Sequence, residues 1–406
     1  MIVIMILLGV YALLGAGYWL MTAYGAVRLW RDVPKLGETN LKEPERWPTL
    51  SVVVPACEEA DKLEPAFRTL MGQDYPELEL ILVNDRSTDG TGTIADRLAA
   101  EDGRVRVIHI KELPAGWLGK VNALQQGYAS STGELVLFTD ADVNYAPGTL
   151  RKAAAYFLDR KLDHMTVIPH LWTAGLLTDA IVSAFLRPFV ALVSRPWKVS
   201  DPKSSAFMGV GAFNLVRREA FEKTEGLEWL KMEVGDDMGL GLLMKRSGAR
   251  CEVVSALDEI GLAWHRTVGE ALRGSEKGYA PACQFSLARS VAAAVIVVGV
   301  EFSPIVLLAA LAWSPLRGFG VAGAALTAVA VGTTVGMARL AHWRVLPSVL
   351  SPIGALIGAW AIVRAAILGK RRDGVDWRGT HYPTETLKQG MRLNLSLKGT
   401  AEDVKR

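Results

Sequence analysis

Two aspartates, Asp140 and Asp142, flank one alanine just past a short apolar run. Carboxylates so placed can hold a hard divalent cation, which in turn bridges phosphate oxygens. Read alone, such a pair is more often a solvated turn. Asp85 closes a second apolar run, where a carboxylate can accept hydrogen bonds from a base or a ribose. Lys120, in Gly116-Trp117-Leu118-Gly119-Lys120, offers a cation that neutralises phosphate. Asp236 and Asp237 open a stretch with an apolar helical face (Leu240, Leu243, Met244). Helix capping explains an acidic pair there. A carboxylate base that deprotonates a hydroxyl is the chemical alternative. The glycines of Phe207-Met208-Gly209-Val210-Gly211 permit close backbone approach, to a ligand or within a tight sheet bend. His265 reads as a structural, hydrogen-bonded histidine. Cys57, Cys251 and Cys283 are widely spaced with no paired metal spacing, so neither a disulfide framework nor a zinc site is indicated.

These residues need a scaffold, and the pattern supplies one. Residues 50–55, 79–84, 105–110 and 134–139 are short apolar runs, read as buried strands. Helix-like stretches follow at 61–73, 94–100 and 119–130. Such alternation predicts an α/β fold with a mostly parallel central sheet covered on both faces. Ligands of such sheets bind at the carboxyl ends of strands, where residues 56–59, 84–89 and 140–142 fall. No glycine-rich dinucleotide or P-loop signature follows a strand, which disfavours those sites.

The 406 residues are 50% hydrophobic and 21% charged, which excludes a disordered chain and argues against a wholly soluble one. The apolar excess sits at the ends. Residues 1–27 carry no charge, enough for one span, and Arg28, Arg31 and Lys35 follow. The positive-inside rule then makes the next domain cytoplasmic. No basic residue precedes the run and it exceeds a usual signal-peptide core, so an anchor fits better than a cleaved leader. Residues 28–285 read as the soluble domain, and 288–368 hold two or three further membrane segments. Arg339 and Arg344 precede the last segment and Lys370, Arg371 and Arg372 follow it. One crossing would separate clusters that both favour the cytoplasm, so either that segment is re-entrant or interfacial, or one cluster is outside. Glu301, inside a span, is a candidate for function or for pairing with Arg317 or Arg339. Residues 171–198 suit either interfacial helices or a buried pair. The tail, 369–406, has nine Lys and Arg against five Asp and Glu. It suits anionic headgroups, and no basic, aromatic stripe indicates nucleic acid.

Four of these motifs, in order, resemble the family 2 glycosyltransferases of GT-A fold, over about residues 50–280. Val54-Pro55-Ala56-Cys57-Glu58-Glu59 resembles the first nucleotide loop, with Cys57 where arginine is common and Glu58 where asparagine or aspartate is common. Asn84-Asp85-Arg86-Ser87-Thr88-Asp89-Gly90 resembles the second. Thr139-Asp140-Ala141-Asp142 resembles the metal-binding D-x-D, and Asp236-Asp237 the acidic base motif. A finer resemblance, to membrane-anchored hopanoid-associated and carotenoid glycosyltransferases, rests on Gly116–Lys120 and on Trp377-Arg378-Gly379-Thr380-His381-Tyr382.

The resemblance implies a GT-A nucleotide-sugar-binding domain between N-terminal and C-terminal transmembrane helices. It implies inverting transfer of one sugar from a nucleotide sugar, a UDP-sugar being the expected donor, to a lipid hydroxyl at a bacterial inner membrane. Asp237, with Asp236, is then catalytic. Asp140 and Asp142 hold Mg²⁺ or Mn²⁺. Pro55, Ala56, Glu58, Glu59, Asp85, Lys120, Asp140 and Lys277 bind the donor. Processive relatives carry an Arg-Trp pair and many more spans; residues 272–279 here lack the pair, and Lys277 offers a replacement charge. A sugar-phosphate or nucleotidyl transferase on a similar sheet, or a non-catalytic membrane scaffold, are the alternatives.

Overall fold

The computed structural model describes residues 1–39 and 41–393. It forms two compact units, each built from separated pieces of chain. One comprises Met1–Asp32, Trp172–Arg195 and Trp264–Val375; the other comprises Val33–Leu171, Pro196–Ala263 and residues from Asp376 onward.

The second unit holds an α/β sheet of eight strands: β1 (Leu50–Ala56), β2 (Leu78–Asp85), β3 (Val105–Ile110), β4 (Leu135–Phe138), β5 (Asn144–Tyr145), β6 (His164–Leu171), β7 (Asn214–Arg217) and β8 (Cys251–Leu262). Their order is β3-β2-β1-β4-β7-β6-β8-β5. The β1–β2, β2–β3, β1–β4 and β6–β8 pairs are parallel. The β4–β7, β6–β7 and β5–β8 pairs are antiparallel. The four strands expected from apolar runs are present, with ends shifted by at most one residue. β1 and β4 are buried almost throughout, because helices cover the sheet and leave no polar face to alternate with.

Helices Ala60–Met71, Thr91–Glu101 and Gly119–Ser130 each follow a strand. The first buries Leu63, Phe67 and Leu70 at i, i+4 and i+7. They join Val52, Leu80 and Leu137 in the main core.

The first unit is helical. Five of its helices are long and apolar enough to cross a membrane: Ile2–Asp32, Leu176–Lys198, Leu287–Ala312, Ser314–Leu340 and Ser351–Arg372. Small residues let their backbones close in, as membrane helices without a hydrophobic drive between them require. A Cβ on Gly15 would lie 2.4 Å from Ser303 Oγ, and one on Gly354 would lie 2.2 Å from the Ala180 carbonyl oxygen. Residues 171–198 fold as helix Leu176–Pro188, continued by a π-helical turn, Phe189–Ser194.

Glu301 is fully buried against Arg187, with Arg187 also donating to Thr334 Oγ1 at 3.2 Å and Ser351 Oγ at 2.8 Å. The Arg187 guanidinium stacks on Trp19 at 4.6 Å. Its partner is thus Arg187, 114 residues back in the chain, rather than Arg317 or Arg339. His265 stacks on Trp264 at 4.8 Å, with its ring 3.0 Å from a Cβ built on Gly274.

Candidate active site

The carboxyl ends of β1, β2 and β4 bring most of the expected residues together within the sheet unit. At the end of β1, Glu58 turns back in the left-handed region (φ 54°). Its carboxylate accepts from the Thr88 N–H at 2.7 Å and from the Thr88 hydroxyl at 3.1 Å. Asp89 returns the link, accepting from the Ala60 N–H at 3.0 Å. Glu58 therefore ties the first loop to the second. Pro55 and Ala56 lie inside β1 itself.

Asp85, at the tip of β2, is buried and holds Arg86 in a fork, with N–O distances of 2.7 and 3.0 Å. Beyond it starts the helix Gly119–Ser130. A Cβ on Gly119 would stand 2.4 Å from Asp85 Oδ2, so the close approach requires glycine.

Lys120, the next residue, is the bridge of the site. Its ammonium lies 2.7 Å from Asp140 Oδ1 and 3.1 Å from Asp236 Oδ2. Burial works to deprotonate it, but Asp140, Asp236 and Asp237 outweigh that and hold its pKa above the ordinary lysine value. Asp142 lies 3.5 Å from Lys62, a residue that sequence reasoning passed over. Burial, and then the neighbouring Asp140 charge, push the Asp142 carboxyl above the ordinary aspartate range.

Asp236 and Asp237 begin the helix Asp236–Arg246. Asp236 is buried; Asp237 Oδ2 accepts the Gly211 N–H at 2.9 Å. The glycine-rich run 207–211 is what allows this. A Cβ on Gly209 would fall 1.8 Å from the Asp237 carbonyl oxygen, and one on Gly211 would fall 2.3 Å from Asp140 Oδ2. The run brings backbone against the protein's own carboxylates. Lys277 belongs to helix Val268–Ala282 of the helical unit.

Sequence reasoning also gave no site role to the chain after the last long helix. Arg378 donates to the Cys57 carbonyl and to the Glu59 carboxylate. Thr380 Oγ1 accepts from Arg86 at 3.1 Å, and Tyr382 Oη accepts the Gly119 N–H at 3.2 Å. Arg392 and Leu393 donate their N–H groups to the buried Glu233, at 2.6 and 3.0 Å. The Trp377–Tyr382 motif was the available signal; its partners, some 300 residues earlier, were not legible.

The donor set suits a hard divalent ion that shares its shell with a ligand. Asp140 and Asp142 offer two oxygen-bearing side chains, and among the described residues no group of three or more His, Cys, Asp or Glu is arranged as a metal cage. Magnesium-like ions are commonly held so, by one or two carboxylates with phosphate oxygens and water completing the shell. The repulsion that raises the Asp142 pKa is what such an ion relieves.

A curled, mostly parallel sheet with acidic residues at its carboxyl edge defines the GT-A class. A solved mannosyltransferase from Pyrobaculum calidifontis, in complex with GDP-Man and Mn²⁺, matches the fold with a TM-score of 0.51 at 19% identity, over 80% of this chain and 98% of that one. The model of glycosyl transferase family 2 matches residues 51–224, so this part of the chain carries that family's sequence pattern. A probable glycosyltransferase of Bacillus subtilis, YdaM, is 35% identical over 130 residues, 32% of this chain and 29% of that protein. A β-monoglucosyldiacylglycerol synthase of Nostoc is 24% identical over 252 residues, 57% of this chain and 49% of that protein. The chain thus spans half or less of the length of these two relatives.

Proposed function

We propose that this chain transfers a single sugar from a nucleotide sugar to the hydroxyl of a membrane lipid, with inversion at the anomeric carbon. The observation that carries the reading is the placement of Asp237. Its carboxylate is aimed by the Gly211 N–H, one residue from the Asp236–Lys120–Asp140 chain of charges. Asp237 takes the acceptor proton as the acceptor oxygen attacks. Asp85 accepts hydrogen bonds from the nucleoside. Lys120 balances charge that develops on the leaving diphosphate, and being held in place by two carboxylates it needs no reorganisation. A divalent ion held by Asp140 and Asp142 would supply Lewis-acid neutralisation of that diphosphate.

A lipid acceptor is supported by the five apolar helices and by the similarity to a glycolipid synthase. A single transfer fits the lack of an Arg-Trp pair in residues 272–279. The catalytic domain would lie on the cytoplasmic face of an inner membrane, as Arg28 and Arg31 after the first apolar run favour.

The test is a screen of nucleotide sugars for hydrolysis by the purified protein, then for transfer to lipid extracts, with Mg²⁺, Mn²⁺ or chelator. No hydrolysis or transfer under any metal condition would sink the reading. Asp237→Asn should lower transfer about 10²- to 10⁴-fold, the usual worth of a positioned base, with donor affinity kept. Most of the activity surviving this change would instead favour a sugar-phosphate or nucleotidyl transferase.

A further inference from the structure

The chain after the last long helix belongs to the sheet unit and touches the loop after β1, the end of β2, the start of the Lys120 helix and Glu233. Thr380 meets the arginine that holds Asp85. Tyr382 takes the first N–H of the helix that carries Lys120. Leu387 is fully buried, and a Cβ on Gly390 would fall 2.1 Å from Met232 Cβ. Arg392 packs over Trp229 at 5.4 Å, and with Leu393 it satisfies Glu233, three residues before Asp236. A segment so anchored is a fixed part of the site.

Its tip is Arg378. Arg378 and Gly379 both have positive φ, 50° and 74°, the conformation of a tight hairpin turn. Gly, Asn and Asp favour that first position; arginine adopts it at a cost. The turn delivers the guanidinium to the end of β1, against Glu59 and the Cys57 carbonyl, with its side chain still 39% exposed. From Glu59 the charges run on: Lys62 lies 3.8 Å from Glu59 and 3.5 Å from Asp142. Arg378 is thus a cation three ion pairs from the D-x-D, on a side chain that is only partly buried.

We propose that Arg378 is a donor-binding residue whose guanidinium takes a phosphate of the nucleotide sugar, and that residues 376–393 form the strap that presents it. Arginine suits this because its planar fork matches phosphate in a way lysine's point charge does not. This rests on the nucleotide-sugar reading above.

The experiment measures affinity of the full-length protein for UDP and GDP and for uridine and guanosine, by displacement with Mn²⁺ present. It compares the unaltered protein with Arg378→Ala and Arg378→Lys. One charge-assisted contact predicts that Arg378→Ala weakens the preferred nucleoside diphosphate about 10- to 100-fold. Affinity for the matching nucleoside should stay unchanged, which also shows the variant is folded. Arg378→Lys should recover part of the loss. Equal weakening of nucleoside and diphosphate would mean that Arg378 only braces the first loop, and would overturn the proposal, as would no weakening of either. If the unaltered protein binds none of the four, the nucleotide-sugar reading itself has failed.

Discussion

Lys120 shows how much one side chain can organise. Its ammonium sits between Asp140 and Asp236, carboxylates that belong to different elements and would otherwise repel. Lys120→Gln removes the charge and keeps most of the volume. We expect it to raise KM for the donor and to lower kcat/KM at least about 100-fold, since it removes a charge-assisted contact and leaves the buried Asp236 and the partly buried Asp140 uncompensated. Steady-state kinetics across donor concentration would show it. His164 tests a different residue-scale effect, away from the site. It is fully buried at the start of β6, with Nε2 3.1 Å from Asn214 Oδ1, and burial pushes its pKa down to about 4. The unfolded chain takes up a proton below about pH 6.5, whereas the folded chain resists until about pH 4. Its stabilising effect is therefore complete above pH 6.5 and declines as the pH falls, by about 2 kcal/mol at pH 5. The thermal midpoint should drop between pH 7.5 and pH 5, and drop less in His164→Gln.

At the scale of elements, the local was legible and the distant was not. β1, β2 and β4 could be read because each is a short apolar run that ends in turn-forming or acidic residues. Asp85, Asp140 and Asp142 could be placed because those runs end at them. The Arg187–Glu301 pair carries no such signal; its members are 114 residues apart, on helices whose facing sides no periodicity reveals. The pair joins helix Leu176–Pro188 to helix Leu287–Ala309, with Thr334 and Ser351 contributing from two more. Removing one partner strands the other charge, at about 3–5 kcal/mol, whereas removing both spares that penalty. Arg187→Met should thus lower the thermal midpoint in detergent more than Arg187→Met combined with Glu301→Leu. The reverse order would mean that the pair is not the fastening it looks to be.

For the whole molecule, the sheet constrains how the chain meets a bilayer. β1 to β6 precede the apolar stretch Leu176–Lys198, and β7 and β8 follow it, yet all eight strands belong to one sheet. A stretch that crossed completely would put the two groups on opposite faces of the membrane. Leu176–Lys198 must therefore enter and leave on one side, or lie in the interface. Cysteines placed at the exposed Glu45 and Lys203, in a chain whose native cysteines are serines, should show the same labelling by an impermeant maleimide in intact spheroplasts. Opposite labelling would refute the one-sided path.

The strand order also sets a timetable for synthesis. β7 lies between β4 and β6 and, among the described residues, β5 pairs only with β8, and β6 only with β7 and β8. When the ribosome has delivered Leu171, the half-sheet β3-β2-β1-β4 has all its members, while β5 and β6 have none of their partners. The Asp236–Asp237 helix arrives later, and the strap with Arg378 arrives after the last apolar helix. Since chains emerge at about 5–20 residues per second, the loop after β1 exists many seconds before Asp237, the base in the proposed reaction. On the proposed reading, an unfinished chain that still lacks Asp237 and Arg378 cannot spend nucleotide sugar, and competence comes only after the last long apolar helix has left the ribosome.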